Sequence, residues 1–389
     1  MTYLDNASTS FPKPPEVLES ITKYLTEFGV SPGRGEYHLA EQAEDLVEDT
    51  RGEIANLIGS EKLSRVIFTY NATHSLNLVI KGVLRKGDHA LACSFSHNSI
   101  IRPLEKMKSE GLIDYDIYSI DPFGNMDLNA FESSITDRTR LVIANHVSNV
   151  LGTEAPIREI AEICKKKGVL FLLDCTQSLV YIPIDVNRIP IDFLAGTGHK
   201  SLLGPSGVGF LYVKNPKTIN TSIEGGSGGN ISLSPMHPNR MPFKLEAGTL
   251  HTTAIAGLNG GLKYLNRVGI DVVAKKSLDL LHYTWEGLRE LDDVILYGPD
   301  IFQKRVPILS FNISRALPCE VAHIYDKQFG ICLRSGTHCA PLVHKMMGTQ
   351  PTGTLRLSLS HFNTYEEIDL FLEATKQILK EKQYAKTCA

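Results

Sequence analysis

The first apolar pattern in the chain repeats at helical spacing near the amino terminus. It begins after Pro14-Pro15, ends before Gly29, and comprises Val17, Leu18, Ile21, Tyr24, Leu25 and Phe28. Proline is tolerated in the first turn of a helix, and glycine is common just after the last turn. The pattern therefore predicts a first helix that starts at the prolines and stops at Gly29.

Short apolar runs then alternate with helical patterns. The strand-like runs cover residues 65–69, 89–93, 116–120, 141–145 and 169–173, and the helical patterns cover 75–84, 100–109 and 157–167. Alternation at this length indicates βαβ crossovers. The segments VIF, LVIAN and VLFLL are apolar throughout, which is typical of a parallel sheet covered on both faces. We therefore predict a large domain built on a wound α/β sheet.

The pattern changes after about residue 262. Two long helical stretches, 254–267 and 270–291, precede the strand-like PILSFNI and LRLSLS and a final helix over 365–382, which predicts a smaller α+β domain. We divide the chain into an N-terminal segment that packs with the small domain (1–15), a large domain (16–262) and a small domain (263–389). A Gly-rich stretch at 225–229 and a Pro-rich stretch at 234–242 predict a long functional loop.

Composition narrows the class of protein. The 389 residues are 42% hydrophobic and 21% charged, which is typical of a globular protein and excludes a disordered chain. The net charge is −3 and no run of five like charges occurs, so we expect neither a nucleic-acid partner nor a membrane surface. The start of the chain, MTYLDNASTSFPKPP, has no targeting pattern, and we expect a cytoplasmic location.

The seven cysteines show neither CxxC spacing nor the density of a disulfide scaffold, so we expect reduced thiols. Cys93, Cys164 and Cys175 fall in or beside apolar elements and are predicted to be buried and structural. Cys388 is predicted to be an exposed thiol in a frayed end.

Two charged residues follow neighbouring predicted strands. Asp174 ends the run VLFLLD, and Lys200 lies in the Gly-rich turn GTGHKSLLG after the next strand. Ligands bind at the carboxyl ends of parallel strands, so both side chains should reach one crevice. A simple salt bridge is one explanation. The other is pyridoxal phosphate, whose ring nitrogen needs a carboxylate at one end and whose aldehyde needs an amine at the other.

A phosphate group also requires a site. In VIFTYNATHSLNLVI, Asn71-Ala72-Thr73 opens a helix directly after a strand, and free backbone N–H groups at such a turn bind anions. Thr73 is either a hydroxyl donor to that anion or a plain helix cap. His97 in SFSHNS follows another strand, where an imidazole either stacks on a flat ring or serves the fold.

With these residues in place, the sequence resembles the class V aminotransferase fold and, within it, the group II (Suf-type) cysteine desulfurases and selenocysteine lyases. The resemblance rests on motifs along nearly the whole chain: YLDNAST, FTYNATHSLNL, HVSNVLGT, DCTQS, GTGHKSLLGPSGVG, EAGT, RSGTHCAP and LRLSLSHFNT. It implies a pyridoxal-phosphate enzyme of the aspartate-aminotransferase-like fold (fold type I). At the phosphate turn the chain has Asn71-Ala72-Thr73-His74 where Suf-type relatives usually show Gly-Thr-Thr-Glu, so phosphate binding would depend more on backbone.

The resemblance also implies a role for each matching residue. Lys200 would bond covalently to the cofactor, Asp174 would pair with the ring nitrogen and His97 would stack on the ring. The remaining cofactor contacts would be Gln177 at the phenolic oxygen with Asn149 close by, the phosphate ligands Ala72, Thr73, Thr197 and His199, and Thr249 from the second subunit of a homodimer. The substrate carboxylate would be clamped by Arg356, with Asn6, Arg34 and Arg334 around it.

Cys339 in RSGTHCAP is the remaining candidate. It lies 17 residues before Arg356, which matches the short catalytic loop of this group. Arg334 and His338 nearby would lower the pKa of its thiol and make it a nucleophile. The alternative is a buried structural cysteine.

Read through the resemblance, the chain converts L-cysteine to L-alanine and transfers the sulfur to Cys339 as a persulfide, for delivery to a sulfur-acceptor protein. A selenocysteine lyase acting on L-selenocysteine would use the same pocket. A C–S lyase or a class V aminotransferase would keep Lys200 and Asp174 without needing Cys339. A non-enzymatic binding protein would have no use for the complete set of Lys200, Asp174, His97 and Arg356.

Overall fold

The computed structural model describes residues 1–227, 233–300 and 305–387, with side chains up to residue 381. The strands are β1 (Thr2–Tyr3), β2 (Val66–Thr69), β3 (His89–Cys93), β4 (Asp114–Tyr118), β5 (Thr139–Asn145), β6 (Leu170–Asp174), β7 (Phe193–Thr197), β8 (Gly209–Val213), β9 (Val294–Tyr297), β10 (Ile308–Ile313), β11 (Ile331–Cys332), β12 (Arg334–Gly336) and β13 (Thr354–Ser358). Residues 228–232 of the predicted loop, and Cys388, lie outside the described residues.

The helices are α1 (Pro15–Glu27), α2 (His38–Leu57), α3 (Ala72–Val83), α4 (Asn98–Ser109), α5 (Leu128–Ser134), α6 (Ile157–Lys167), α7 (Thr252–Val268), α8 (Ile270–Arg289), α9 (Pro318–Phe329), α10 (Pro341–Met346) and α11 (Tyr365–Thr387). The predicted first helix is confirmed as α1. The sequence did not predict α2 or α9. The buried face of α2 consists largely of alanines with Val47 and Ile54, which makes a weak apolar stripe. Within the described ranges, none of the helices is long and apolar enough to cross a membrane.

A seven-stranded sheet in the order β2-β8-β7-β6-β5-β3-β4 forms the centre of the chain. Strands β7, β6, β5, β3 and β4 are parallel, as predicted, whereas β8 runs antiparallel to both of its neighbours. The prediction that VIF belongs to a parallel pairing is therefore wrong, because this segment is β2 and pairs with β8. The segment is apolar throughout because both of its faces are buried, and this pattern is the same for a parallel and an antiparallel strand.

The sheet separates two apolar clusters. Along β6, Leu173 belongs to the cluster that includes residues of α2, α6 and α7, and Leu172 belongs to the cluster that includes residues of α3 and α4. Successive side chains of a strand point to opposite faces, so a strand buried on both sides is apolar throughout. Cys93, Cys164 and Cys175 are buried in the first cluster, as predicted.

A four-stranded antiparallel sheet in the order β12-β13-β10-β9 lies in the C-terminal part, with α8, α9 and α11 contributing to its apolar cluster. Strand β1 pairs with β11, so the N-terminal segment packs against this part of the chain. The division into domains stays a prediction. Residue 262 lies inside α7, whose apolar face belongs to the large-sheet cluster, and we propose the break at Gly269 between α7 and α8.

Arg51 and Glu246 form a buried ion pair between α2 and the segment before α7, with an Nη1–Oε1 distance of 2.7 Å. Glu48 also binds Arg51, but its side chain is 47% exposed against 5% for Glu246. We expect Glu246→Gln to lower the free energy of unfolding by about 3 kcal/mol, because it leaves a buried guanidinium without its buried counter-ion and with only the half-exposed Glu48 as a charged partner. The control Glu48→Gln should cost less than about 1 kcal/mol. Chemical denaturation followed by circular dichroism measures both, and equal losses would contradict the expectation.

Candidate active site

One pocket opens at the edge of the large sheet where its strands end. The last residues of β5, β6 and β7 line it, together with the first turn of α3 and residues at the start of α4. Its cavity volume is about 110 Å³. The predicted residues that line it are Ala72, Thr73, His97, Asn149, Asp174, Gln177, Thr197, His199 and Lys200.

Asp174 is buried at the end of β6 and is held by neutral N–H donors. Asn145 Nδ2 donates to Oδ2 at 2.9 Å, and the backbone N–H of Thr176 donates to Oδ1 at 3.0 Å. These contacts orient the carboxylate without neutralising it. An uncompensated carboxylate on the pocket wall suits a protonated ring nitrogen.

Lys200 lies between charges of both signs. Burial and the positive charge of Arg356 lower the pKa of its amine to about 8, and Arg334 acts in the same direction, while Asp174 and Asp5 partly offset them. The side chain as a whole is only half-buried, yet the amine is the atom that burial affects. A substantial fraction of Lys200 is therefore neutral near physiological pH and available as a nucleophile or base.

Selective acylation of the cofactor-free protein measures this shift. At pH 7.5 a pKa of about 8 leaves roughly a quarter of Lys200 neutral, against roughly 0.1% for an ordinary lysine. We expect the rate of Lys200 modification by limiting acetic anhydride to rise through an inflection near pH 8 and then level off. Exposed Lys376, whose pKa the neighbouring Glu373 raises, is the control and should keep rising over the same range. Parallel profiles for the two lysines, read by mass spectrometry, would contradict the shift.

The pocket wall also carries polar groups without partners. Thr197 Oγ1 and His199 Nδ1 are buried and have no hydrogen-bond partner. Burial and the nearby Lys200 and Lys13 lower the pKa of His199 to about 4, so its ring is neutral. Donors without partners at this depth are costly unless a ligand satisfies them, and they fit an anion such as phosphate.

The first turn of α3 also lines the pocket. Asn71 caps the helix, accepting from the backbone N–H of His74 at 2.9 Å, and Ala72 and Thr73 line the pocket beside it. The first N–H groups of a helix lack partners within the helix and bind phosphate readily. Gly209 of β8 allows the close approach, because a Cβ there would lie 2.7 Å from Asn71 Cα. Together with Lys200 and Asp174, these groups fit pyridoxal phosphate.

His97, Gln177 and Asn149 also line the pocket. His97 also caps α4, its Nδ1 accepting from the backbone N–H of Ser99 at 3.1 Å. Burial lowers the pKa of this imidazole, so it presents a neutral flat ring. Gln177 Nε2 donates to the carbonyl of Ala7 at 3.0 Å, which links the pocket to the N-terminal segment.

Cys339 lies on the short turn between β12 and α10. His338 and Cys339 both have left-handed backbone conformations, with φ of 50° and 60°. The turn is tied to the pocket at two carbonyls. Asn149 Nδ2 donates to His338 O at 2.7 Å, and the backbone N–H of Asn98 donates to Cys339 O at 2.8 Å. Strained backbone held by flanking contacts is typical of functional turns.

Arg334 and His338, the two residues predicted to act on the Cys339 thiol, do not both carry a positive charge. Arg334 Nη2 lies 3.9 Å from Cys339 Sγ, as expected of a cation that favours the thiolate. His338 is buried, and burial together with Arg356 holds its pKa well below the usual range. The expectation that His338 supplies positive charge is therefore wrong, because the imidazole is neutral.

Arg356 and Asn6 both have partners within the chain. Arg356 is buried and binds Asp5, Ser8 and the carbonyl of Asn149. Asn6 Nδ2 donates to Ser358 O at 3.1 Å, and its Oδ1 accepts from the backbone N–H of Phe11 at 3.2 Å. The contacts of Asn6 therefore hold the N-terminal segment in place.

Arg34 and Thr249 do not line this pocket. Both are exposed, and both line a separate groove next to Glu48 and Arg51. Within one chain, the structure does not bring these two residues to the other predicted site residues.

The sequence analysis missed several polar groups at the site. Asn145 and Thr176 line the pocket beside Asp174, and Asp5 and Ser8 contact Arg356. Asn145 ends the apolar run LVIAN at the same sheet edge as Asp174, so the rule that selected Asp174 also selects it. No local signal connects Asp5 or Ser8 with Arg356.

A wound sheet with a lysine, a carboxylate and an anion cradle at its strand ends defines a pyridoxal-phosphate-dependent enzyme of fold type I. Comparison with known families agrees with this class. The model of the family Aminotransferase class-V matches residues 2–371. The chain belongs to the class-V aminotransferase family, which confirms the predicted resemblance.

The relatives share nearly the whole chain. A probable cysteine desulfurase of Methanothermobacter thermautotrophicus is 35% identical over 383 residues, covering 97% of this chain and 94% of that protein. A probable cysteine desulfurase of Pyrococcus abyssi is 33% identical and covers 97% and 94%. The apo structure of a cysteine desulfurase from Thermococcus onnurineus matches with a TM-score of 0.91 at 33% identity, covering 98% of this chain and 95% of that one.

Proposed function

We propose that the protein is a cysteine desulfurase of the group II type, which converts L-cysteine to L-alanine and retains the sulfur on Cys339. The observation that carries this proposal is the turn of Cys339, tied by its carbonyls to the pocket that holds Lys200. A C–S lyase or an aminotransferase has no need of a thiol in this position. The relatives named cysteine desulfurase support the same activity.

When bound, pyridoxal phosphate supplies an electrophilic carbon for the substrate amine and an electron-poor ring that stabilises charge at the substrate Cα. The Thr197 hydroxyl, His199 and the α3 N-terminus would hold the phosphate, and His97 would pack on the ring. Asp174 would hold the proton on the ring nitrogen. The Lys200 amine, with its pKa lowered to about 8, removes the proton from the substrate Cα.

Cys339 performs the sulfur transfer. Its thiolate, which lies beside the Arg334 guanidinium, attacks the substrate sulfur and forms an S–S bond while the Cβ–S bond breaks. The electron pair of the broken bond stays with the carbon skeleton, which takes up a proton at Cβ, regains a proton at Cα from the Lys200 ammonium and leaves as alanine. The sum is cysteine plus enzyme thiol giving alanine plus enzyme persulfide, so atoms and electrons balance. A sulfur-acceptor protein then takes the terminal sulfur.

We also propose a homodimer. Thr249 and Arg34 are exposed on one groove, away from the pocket of their own chain. A residue that contacts the active site of a second subunit has to be exposed in this way on its own subunit. The cytoplasmic location stays a prediction.

The test is a product assay on the purified holoenzyme. L-cysteine, L-selenocysteine and cystine are supplied in parallel, and alanine, pyruvate, sulfide and selenide are measured. The proposal requires alanine from L-cysteine, in a one-to-one ratio with transferred sulfur and without an added oxo acid. Pyruvate as the main product would indicate β-elimination and would overturn it. Alanine formed only when an oxo acid is added would indicate an aminotransferase.

A further inference from the structure

Arg356 is paired inside the chain before any substrate binds. Its side chain is 1% exposed, and Nη2 donates to Asp5 Oδ1 at 2.7 Å and to Ser8 Oγ at 3.0 Å. Nη1 donates to the carbonyl of Asn149 at 3.0 Å, while the buried Nε has no partner. The guanidinium is thus paired with an internal carboxylate, and its Nε–H group has no partner.

The position of Asp5 matters because of guanidinium geometry. A carboxylate binds arginine in a bidentate manner either across Nη1 and Nη2 or across Nε and Nη2. Both arrangements use Nη2, the nitrogen that Asp5 and Ser8 occupy. The two N–H groups of Nη2 are taken by Asp5 and Ser8, so a substrate carboxylate cannot form either pair of hydrogen bonds while both contacts are kept.

Asp5 is able to leave this contact. Its side chain is 19% exposed, whereas that of Arg356 is 1% exposed, so water can solvate the carboxylate when it moves away. The backbone of Asp5, two residues after the end of β1, is fixed by a bridge to Ser358. Rotation of the Asp5 side chain therefore frees one N–H group of Nη2, and the N-terminal segment need not detach.

We propose that Asp5 is a specificity-determining residue that stands in for the substrate carboxylate. When no substrate is bound, the Asp5 carboxylate neutralises the positive charge of buried Arg356. When an amino acid binds, the Asp5 side chain leaves the guanidinium, and the substrate carboxylate takes its place. This inference rests on the proposed function, in which Arg356 receives that carboxylate. An amino acid displaces Asp5 because its amine also engages the site, whereas a simple carboxylate has no second attachment and is rejected.

Propionate, which has a carboxylate and no amine, is the probe. It is tested on the holoenzyme as a competitive inhibitor of L-cysteine turnover in the wild type and in Asp5→Asn. The amide still accepts a hydrogen bond but carries no charge, so we expect the inhibition constant of propionate to fall about fivefold or more. Ser8→Ala is the matched control, because it removes a neutral contact of the same nitrogen, and we expect less than about a twofold change. An unchanged or higher inhibition constant in Asp5→Asn would overturn the inference.

A second measurement uses the wild type and does not depend on the folding of a variant. A crystal structure with L-alanine bound should show the Asp5 carboxylate turned away from Arg356 Nη2. A bound carboxylate beside an intact Asp5–Arg356 pair would refute the inference.

Arg356→Lys distinguishes the proposal that Arg356 binds the substrate carboxylate from the proposal that Asp5 must leave Arg356 first. A higher KM for L-cysteine in this variant with an unchanged propionate constant in Asp5→Asn would refute the role of Asp5 alone. An unchanged KM would remove Arg356 as the carboxylate site and overturn both.

Discussion

Replacing Lys200 with alanine is expected to abolish turnover of L-cysteine, with kcat lower by about four orders of magnitude or more. The amine is both the attachment point of the cofactor and the base at the substrate Cα, and no other lysine lines the described pocket. The variant should remain folded, because a half-buried cation of lowered pKa stabilises little. The measurements are the product assay, the visible absorbance of the bound cofactor and thermal unfolding by circular dichroism.

The control for this experiment is Lys214→Ala, an exposed lysine after β8. It should keep the absorbance and activity of the wild type. A Lys200→Ala protein that retains a covalently attached cofactor, found by mass spectrometry after borohydride reduction, would remove Lys200 from the proposed role.

Replacing Cys339 with alanine is expected to reduce alanine release from L-cysteine at least about a thousandfold while cofactor binding is unchanged. A thiol leaves carbon poorly, so the reaction needs a nucleophile at the substrate sulfur, and Cys339 lies beside Arg334 on a turn tied to the pocket. Selenide release from L-selenocysteine should survive in part, because the C–Se bond is weaker and the selenol is already ionised near neutral pH. Parallel assays of the two substrates measure the difference.

Cys319→Ala and Cys332→Ala are the matched controls, since the first thiol is exposed and the second half-buried. Both variants should form the persulfide at the wild-type rate. Full desulfuration by Cys339→Ala, with the persulfide located on another cysteine by mass spectrometry, would refute the assignment.

Local sequence was enough to locate the part of the site that contains Asp174 and Lys200. Asp174 ends an apolar run and Lys200 follows the next strand, and the carboxyl ends of parallel strands share a sheet edge. The cap and first turn of α3 were also readable, because Asn71 follows a strand and precedes a helical pattern. Such inferences succeed because the period of a strand or helix determines where its last residue points.

Other features depend on segments that are distant in the chain. The direction of β2 was misjudged because β8, its partner, lies well over a hundred residues away, and burial makes parallel and antiparallel strands equally apolar. His338 was expected to be charged, but its neutrality arises from burial and from the nearby Arg356. Neither depth nor a neighbour's charge is encoded in local periodicity.

The sequence by itself therefore determined the class of fold, the cofactor and the residues at the strand ends, since these follow from local apolar patterns and specific motifs. Only the tertiary structure decided how the charges are paired. Asp5 meets Arg356 across 351 positions of sequence, and Arg34 and Thr249 lie on a groove apart from the pocket. The physical reason is that the pairing of side chains depends on how separate elements pack against one another. The residue pattern within one element does not determine which other elements it contacts.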